Sequence, residues 1–177
     1  MIAIDVSPTL IAAAREADPA GDYRCADAVK LPLTDGACDL VIAFMSLQDV
    51  DDLAAATAEI SRVLDPDGCA CLAIVHPLNS AGKFVDESAT SPFVIRGTYL
   101  SEFEYTDFVA RDGIEMTFRS RHRPLETYTR ALEAARLCIE AIREHPVPSG
   151  PELSDRSKRW QRIPLFMHLR VRKRAAR

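Results

Sequence analysis

Short apolar runs alternate with amphipathic stretches along the first half of the chain, and this alternation predicts strands and helices in turn. Ile2-Ala3-Ile4-Asp5-Val6 is almost wholly apolar around one acid, as suits a strand buried on both faces of a parallel sheet. Ser7-Pro8 reads as an N-cap with proline at the first helical position, where its missing N–H is no loss. Leu10, Ile11, Ala14 and Ala17 then recur at helical spacing, and Asp18-Pro19-Ala20-Gly21 stops the helix. Tyr23 to Ala28 forms the next strand, and Pro32, Asp35 and Gly36 make a loop. Cys38 to Met45 is the strongest strand in the chain. Leu53, Ala56, Ile60 and Val63 or Leu64 mark a second helix, ended by Asp65-Pro66-Asp67-Gly68, and Cys69 to Val75 is an apolar strand closed by His76-Pro77. The expected elements are strands near 2–6, 22–27, 38–45 and 69–75, joined by helices near 8–17 and 52–64. This order argues for an α/β fold with a doubly wound, mostly parallel sheet.

The second half is less regular. Residues 78–98 are rich in Ser, Gly, Thr and Pro and read as a loop or lid. Tyr99 to Tyr105 and Ile114 to Arg121 read as antiparallel strands around an Arg111-Asp112-Gly113 turn. Leu125, Tyr128, Leu132 and Ala135 set a third helix; Leu137 to Arg143 and Ile163 to Val171 read as two closing strands. The expectation is one domain over residues 1–177, in which 78–121 caps a substrate pocket.

Composition narrows the class. With 177 residues, 47% hydrophobic and 27% charged, the chain is an ordinary globular protein rather than a disordered, collagenous or coiled-coil one. Lys and Arg number 22 against 26 Asp and Glu, and the net charge of −4 disfavours nucleic acid as a partner. No apolar run approaches the roughly 18 residues of a membrane span, and no basic-then-apolar leader follows Met1, so a cytoplasmic protein is expected. The five cysteines, Cys25, Cys38, Cys69, Cys71 and Cys138, are odd in number and lie in or beside apolar segments. Reduced thiols packed as small hydrophobes are expected, and the Cys69–Cys71 spacing is not a zinc knuckle, so no metal is expected. Arg170, Arg172, Lys173, Arg174 and Arg177 could meet phosphates or an acidic lipid surface, though a solubilising tail is the simpler reading.

Ligands of open parallel sheets bind beyond the carboxyl ends of the strands. There the chain offers Asp5, Asp27, the run Met45-Ser46-Leu47-Gln48-Asp49, and His76. A carboxylate at such a strand end can accept hydrogen bonds from both ribose hydroxyls, and one on the next strand can accept from an adenine amino group. Plainer roles compete: Asp5 as a cap or turn former, Asp39 orienting a turn, and Gln48, Asp49, Asp51 and Asp52 as an acid-rich helix opening that suits the helix dipole.

Together these segments resemble the class I S-adenosylmethionine-dependent methyltransferases, in particular the small-molecule, type 11-like group. Ile4-Asp5-Val6-Ser7-Pro8 resembles that family's second strand, and Cys25-Ala26-Asp27-Ala28 with Leu31-Pro32-Leu33 resembles its D-A-x-x-L-P segment. Cys38-Asp39-Leu40-Val41 is similar to its fourth strand. Glu59 to Gly68 is similar to its E-x-x-R-V-L-x-P-G-G signature, with Asp67 where glycine is usual. His122-Arg123-Pro124-Leu125 resembles a late segment of small-molecule members, the quinone-biosynthesis type among them. The resemblance implies a Rossmann-like methyltransferase sheet, S-adenosyl-L-methionine as cofactor, and methyl transfer to a small molecule by in-line displacement. It implies that Asp5 binds the ribose, Val6 packs on the adenine, Asp27 accepts from the adenine amino group with Ala28 beside it, and Met45 and Ser46 line the floor. Candidate bases are His76, Tyr99 and Tyr105, each with a structural role as its rival; His122 is expected to position its loop.

The family's first strand and glycine-rich turn, roughly 30 residues by the size of such a unit, have no counterpart before Ile2. The sheet is therefore expected to be incomplete at its amino end. The chain as given is expected to bind the cofactor feebly and to expose an edge that a second copy or a partner chain completes. Two other classes compete: a non-catalytic, partner-binding relative, and a nicotinamide-dependent Rossmann enzyme, against which the Asp27 segment and Leu64–Gly68 argue.

Overall fold

Two short parallel strands open the fold. In the computed structural model, which describes residues 1–95, 97–111 and 114–174, β1 (Ile2–Asp5) pairs in register with β2 (Asp22–Cys25), and α1 (Pro8–Ala17) connects them. The N-cap is the expected one: Ser7 Oγ accepts the Leu10 N–H at 3.3 Å, with proline opening the helix.

A second sheet of four strands runs β3-β4-β10-β9. β3 (Cys38–Phe44) and β4 (Leu64–Val75) are parallel and joined by α2 (Leu53–Val63), which Asp52 caps by accepting the Ala55 N–H at 2.9 Å. The closing strands are as expected, with β10 (Phe166–Lys173) lying antiparallel between β4 and β9 (Leu137–His145). α2 and α4 (Leu125–Ala134) cover one face of this sheet. Ala56, Ile60, Tyr128 and Leu132 pack there on Ala70, Leu72, Ile74, Met167, Leu169 and Val171. Strand side chains alternate between faces. Val41 and Ala43 therefore join the core, while Leu40, Ile42 and Phe44 point the other way, 47, 65 and 72% exposed. The α/β class is the expected one, but the sheet is divided and mixed rather than mostly parallel: in the larger part only β3 and β4 run parallel, β10 is antiparallel to both its neighbours, and the apolar run of β3 is buried on one face only.

Two further expectations need correction. The cysteines are free, yet none is a core residue: Cys25, Cys71 and Cys138 are exposed, and Cys38 and Cys69 are half-buried. Residues 78–98 are not a plain loop. They hold the short helix α3 (Pro77–Ser80) and a hairpin of β5 (Gly82–Phe84) and β6 (Phe93–Ile95). Glycine is required at position 82, because a Cβ there would sit 2.3 Å from the Val94 carbonyl oxygen. Phe84 packs edge-on against Phe93 and Trp160, at 5.1 and 4.8 Å.

Residues 99–102 form turns rather than strand. The long hairpin is β7 (Phe103–Arg111) against β8 (Ile114–His122), and Asp112-Gly113 of its expected turn lie outside the described residues. This hairpin docks on the chain leaving β3, where the Arg121 N–H donates to the Gln48 carbonyl at 2.9 Å. Among the described residues no helix is long and apolar enough to cross a membrane.

Candidate functional site

Asp5 is the last residue of β1, opposite Cys25 at the end of β2, and Asp27 follows two residues later, after the Ala26 N–H has donated to the Asp5 carbonyl at 3.0 Å. One carboxylate oxygen of Asp5 accepts the Ser7 N–H at 2.7 Å, so the turn-forming role is real. That role engages Oδ1 and leaves Oδ2 to accept from a ligand. Val6 follows, 68% exposed, an apolar side chain offered to solvent at the mouth of the strand pair. Asp27 accepts the Val29 N–H at 3.1 Å within a tight turn, and Ala28 packs at the edge of the core.

The segment after Asp27 is held by the signature on α2. Glu59 accepts the Leu31 N–H at 2.7 Å. Arg62 donates to the carbonyls of Leu31 and Leu33, to Asp35, and to Glu59 itself at 2.7 Å. The Arg62 hydrogen bond holds the Glu59 carboxyl below its usual range. In the sequence these two residues are part of a family signature that carries no role of its own. Together they fasten the loop that follows β2, at Leu31, Leu33 and Asp35, to the helix of the larger sheet.

Met45 and Ser46 end β3 on that larger sheet. Met45 has a left-handed backbone, φ 52°, which a residue with a Cβ adopts only where its surroundings impose it. Here the Met45 N–H is tied to the Ala73 carbonyl at 2.8 Å, and the Met45 carbonyl accepts from Gln48 Nε2 at 2.6 Å. The turn continues into the loop 47–51, which is wrapped around a buried cation. Arg123, 2% exposed, donates to the carbonyls of Leu47, Gln48, Val50 and Asp51 and lies 3.6 Å from Glu102.

The three candidate bases occupy different settings. His76 caps α3: its Nδ1 accepts the Leu78 N–H at 3.0 Å, which places the ring proton on Nε2, 2.9 Å from Glu144 Oε1. Tyr99 caps α4, its hydroxyl accepting the Leu125 N–H at 3.0 Å where Pro124 has no side chain to do so. The Tyr99 carbonyl accepts from Nε2 of the buried His122, whose Nδ1 meets Ser80 Oγ at 2.7 Å. His122 thus ties the β8 end to α3, as the loop-positioning role required. Tyr105 lies beside Ser120, and burial pushes its phenol up to about 12, so at neutral pH it is a donor.

The His76 geometry yields a pH dependence. Burial, opposed by Glu144, lowers its pKa below 6.5. A histidine depressed in the folded state contributes full stability above its unfolded pKa and loses it as pH falls towards the folded value. Stability should therefore decline below about pH 6.5, and His76→Gln should flatten that part of a urea-midpoint profile. An unaltered slope in His76→Gln would assign the acid sensitivity elsewhere.

Two clefts open around the 47–51 loop. One, of about 210 Å³, is lined by Asp49, Val50, Asp51, Glu104, Ser120 and Arg121, together with Arg119. The other, of about 680 Å³, lies between the starts of α2 and α4 beside Leu53, Glu102 and Thr127. Neither is lined by Asp5 or Asp27.

Residues 1–72 match the family model described as a methyltransferase domain. Over 74 residues the chain is 35% identical to the demethylmenaquinone methyltransferase of Chlorobaculum parvum, a match covering 42% of this chain and 30% of that protein. Over 66 residues it is 36% identical to the malonyl-[acyl-carrier protein] O-methyltransferase of Serratia marcescens, covering 37% and 26%. The chain thus spans less than a third of the length of each curated relative. The crystal structure of an S-adenosylmethionine-dependent methyltransferase from Mesorhizobium loti superposes with a TM-score of 0.75 at 24% identity, over 96% of this chain and 78% of that one.

Proposed function

We propose that this chain, which has the class I S-adenosylmethionine-dependent methyltransferase fold and carries that family's sequence in its first 72 residues, transfers a methyl group from S-adenosylmethionine to a small-molecule acceptor. The observation that carries the reading is the placing of Asp5 at the end of β1 and of Asp27 just past the neighbouring end of β2, in a loop whose continuation at Leu31 is bonded to Glu59 and Arg62. The donor set fits the adenosine end of the cofactor. Asp5 has a carboxylate oxygen left for ribose hydroxyls, Val6 presents an apolar surface for a flat base, and Asp27 is an exposed acceptor one strand away. When bound, the cofactor supplies an activated methyl on a sulfonium. The protein's part is to hold that end still, with Met45 and Ser46 as a floor and the segment 78–121 as a cap that excludes water. The two curated relatives carry quinone and acyl-carrier substrates in their names, which supports a small acceptor here.

Titration calorimetry with S-adenosylmethionine tests the reading. Asp5→Ala removes a charge-assisted acceptor for two hydroxyls and should weaken binding by about 1.5–3 kcal/mol, on the order of tenfold or more. Asp5→Asn keeps an oxygen for the Ser7 N–H and should be milder. Equal affinity in wild type and Asp5→Ala would reduce Asp5 to a turn residue. The open face of β3 favours a second reading, a methyltransferase-fold module that docks a partner chain or a second copy of itself. Absence of any cofactor heat with retained self-association would favour it.

A further inference from the structure

Two of the four histidines are engaged within the fold. His76 is held between the Leu78 N–H and Glu144, and His122 between Ser80 Oγ and the Tyr99 carbonyl. The other two, His145 and His168, lie on neighbouring strands, at the end of β9 and near the start of β10. In the antiparallel register Phe166 stands opposite His145 and His168 opposite Arg143, so the two histidines are diagonal neighbours on one face. Their ring centroids are 4.3 Å apart, with the planes tilted by 45°. Both residues are exposed. Among the described residues, the side-chain hydrogen bonds of histidine belong to His76 and His122, and neither ring of this pair takes part in one.

The face that carries the pair is turned away from α2 and α4, since Met167 and Leu169, on either side of His168, are buried in the core. The neighbouring charges are occupied. Arg143 donates to the Ile142 carbonyl at 2.8 Å, and Glu144 is taken by His76. A neutral imidazole nitrogen is a good ligand for late first-row metals. With metal–nitrogen bonds of about 2.0–2.1 Å, two imidazoles at right angles around one ion have ring centres about 4.5 Å apart, against about 5.2 Å at the tetrahedral angle. The observed 4.3 Å falls at the right-angled end. Side chains on an exposed face have the freedom to turn through the small remaining difference. A right-angled pair suits tetragonal or octahedral ions, Cu²⁺ and Ni²⁺, better than tetrahedral Zn²⁺.

We propose that His145 and His168 form a two-imidazole site for a divalent late transition-metal ion, Cu²⁺ or Ni²⁺, on the open face of the larger sheet. Water fills the remaining positions, because no group of three or more metal-ligating side chains gathers among the described residues. The site does not rest on the methyl-transfer reading, which uses neither histidine. The expectation that no metal is bound came from the spacing of the thiols; these imidazoles are far apart in sequence and meet only through the pairing of β9 with β10. The rival reading is a plain packed pair of rings, and it predicts no ion binding at all.

Ni²⁺ is the probe, because Cu²⁺ would oxidise the exposed thiols of Cys25, Cys71 and Cys138. Titrated by calorimetry into the full chain, it should bind as a single ion per chain. Octahedral Ni²⁺ is paramagnetic, so in the ¹⁵N-labelled chain it should first broaden the amides of Arg143 to His145 and of Phe166 to His168. His145→Gln and His168→Gln should each weaken binding at least about tenfold, since losing a ligand costs no less than losing an outer partner of one. Both side chains are exposed, and far-ultraviolet circular dichroism checks that the variants fold. Cys71→Ser, on the same face opposite Arg170, should leave Ni²⁺ binding unchanged. No heat in wild type, broadening centred elsewhere, binding undiminished in either histidine variant, or binding lost in Cys71→Ser overturns the proposal.

Discussion

Arg123→Met should destabilise the protein by about 3–5 kcal/mol, the usual result of removing one member of a buried charged network. The side chain is 2% exposed, and its guanidinium is what the carbonyls of Leu47, Gln48, Val50 and Asp51 are bonded to. Methionine fills much of the volume but donates nothing, so the carbonyls of Leu47, Val50 and Asp51 lose this donor while that of Gln48 keeps the Arg121 N–H, each loss costing about 1–3 kcal/mol where water cannot reach. Arg123→Lys should recover only part of the loss, because one ammonium on a flexible stem does not span the same carbonyls. Urea unfolding monitored by circular dichroism measures both. A loss under about 1 kcal/mol in Arg123→Met would mean that water enters and satisfies the loop.

Arg123 also shows where sequence reading stops. The His122-Arg123-Pro124-Leu125 segment stood out as a pattern, but the carbonyls that explain its arginine lie more than 70 positions earlier. Glu59 and Arg62 are the same case, with partners 28 and 31 positions away at Leu31. A side chain bonded to backbone leaves no mark on the residue types it touches. Strand ends are different. Apolar runs locate strands, so the sequence places Asp5 at the end of β1 and Asp27 just past β2, as the structure has them.

The misreadings have equally local causes. Strands β5 and β6 have three residues each, too few for a period to show. Apolar runs suggest buried cysteines because they do not reveal which face of a strand is covered. Cys71 is exposed although it stands between buried Ala70 and Leu72. The sequence offers Gln48, Asp49, Asp51 and Asp52 together at the helix opening, and only the geometry shows that Asp52 makes the cap.

The face that misled the reading of β3 also sets the second large effect. Leu40, Ile42 and Phe44 project from one side of the strand and are largely exposed, whereas Val41 and Ala43 on the other side pack into the core. Burying each such side chain is worth about 1.5–3 kcal/mol, so a surface that covers all three is a strong driver of association. The wild-type chain should therefore self-associate in a concentration-dependent way under reducing conditions. The triple substitution Leu40→Thr, Ile42→Thr, Phe44→Thr should weaken that association by on the order of a hundredfold or more. Threonine keeps the strand propensity, and no core contact is removed, so unfolding stability should move by no more than about 1 kcal/mol. Sedimentation velocity across a concentration series reads the first effect and urea unfolding the second. A monomeric wild type, or a triple variant that associates as strongly, would mean that this face is covered in some other way. A large loss of stability without any change in association would place these side chains in the core after all.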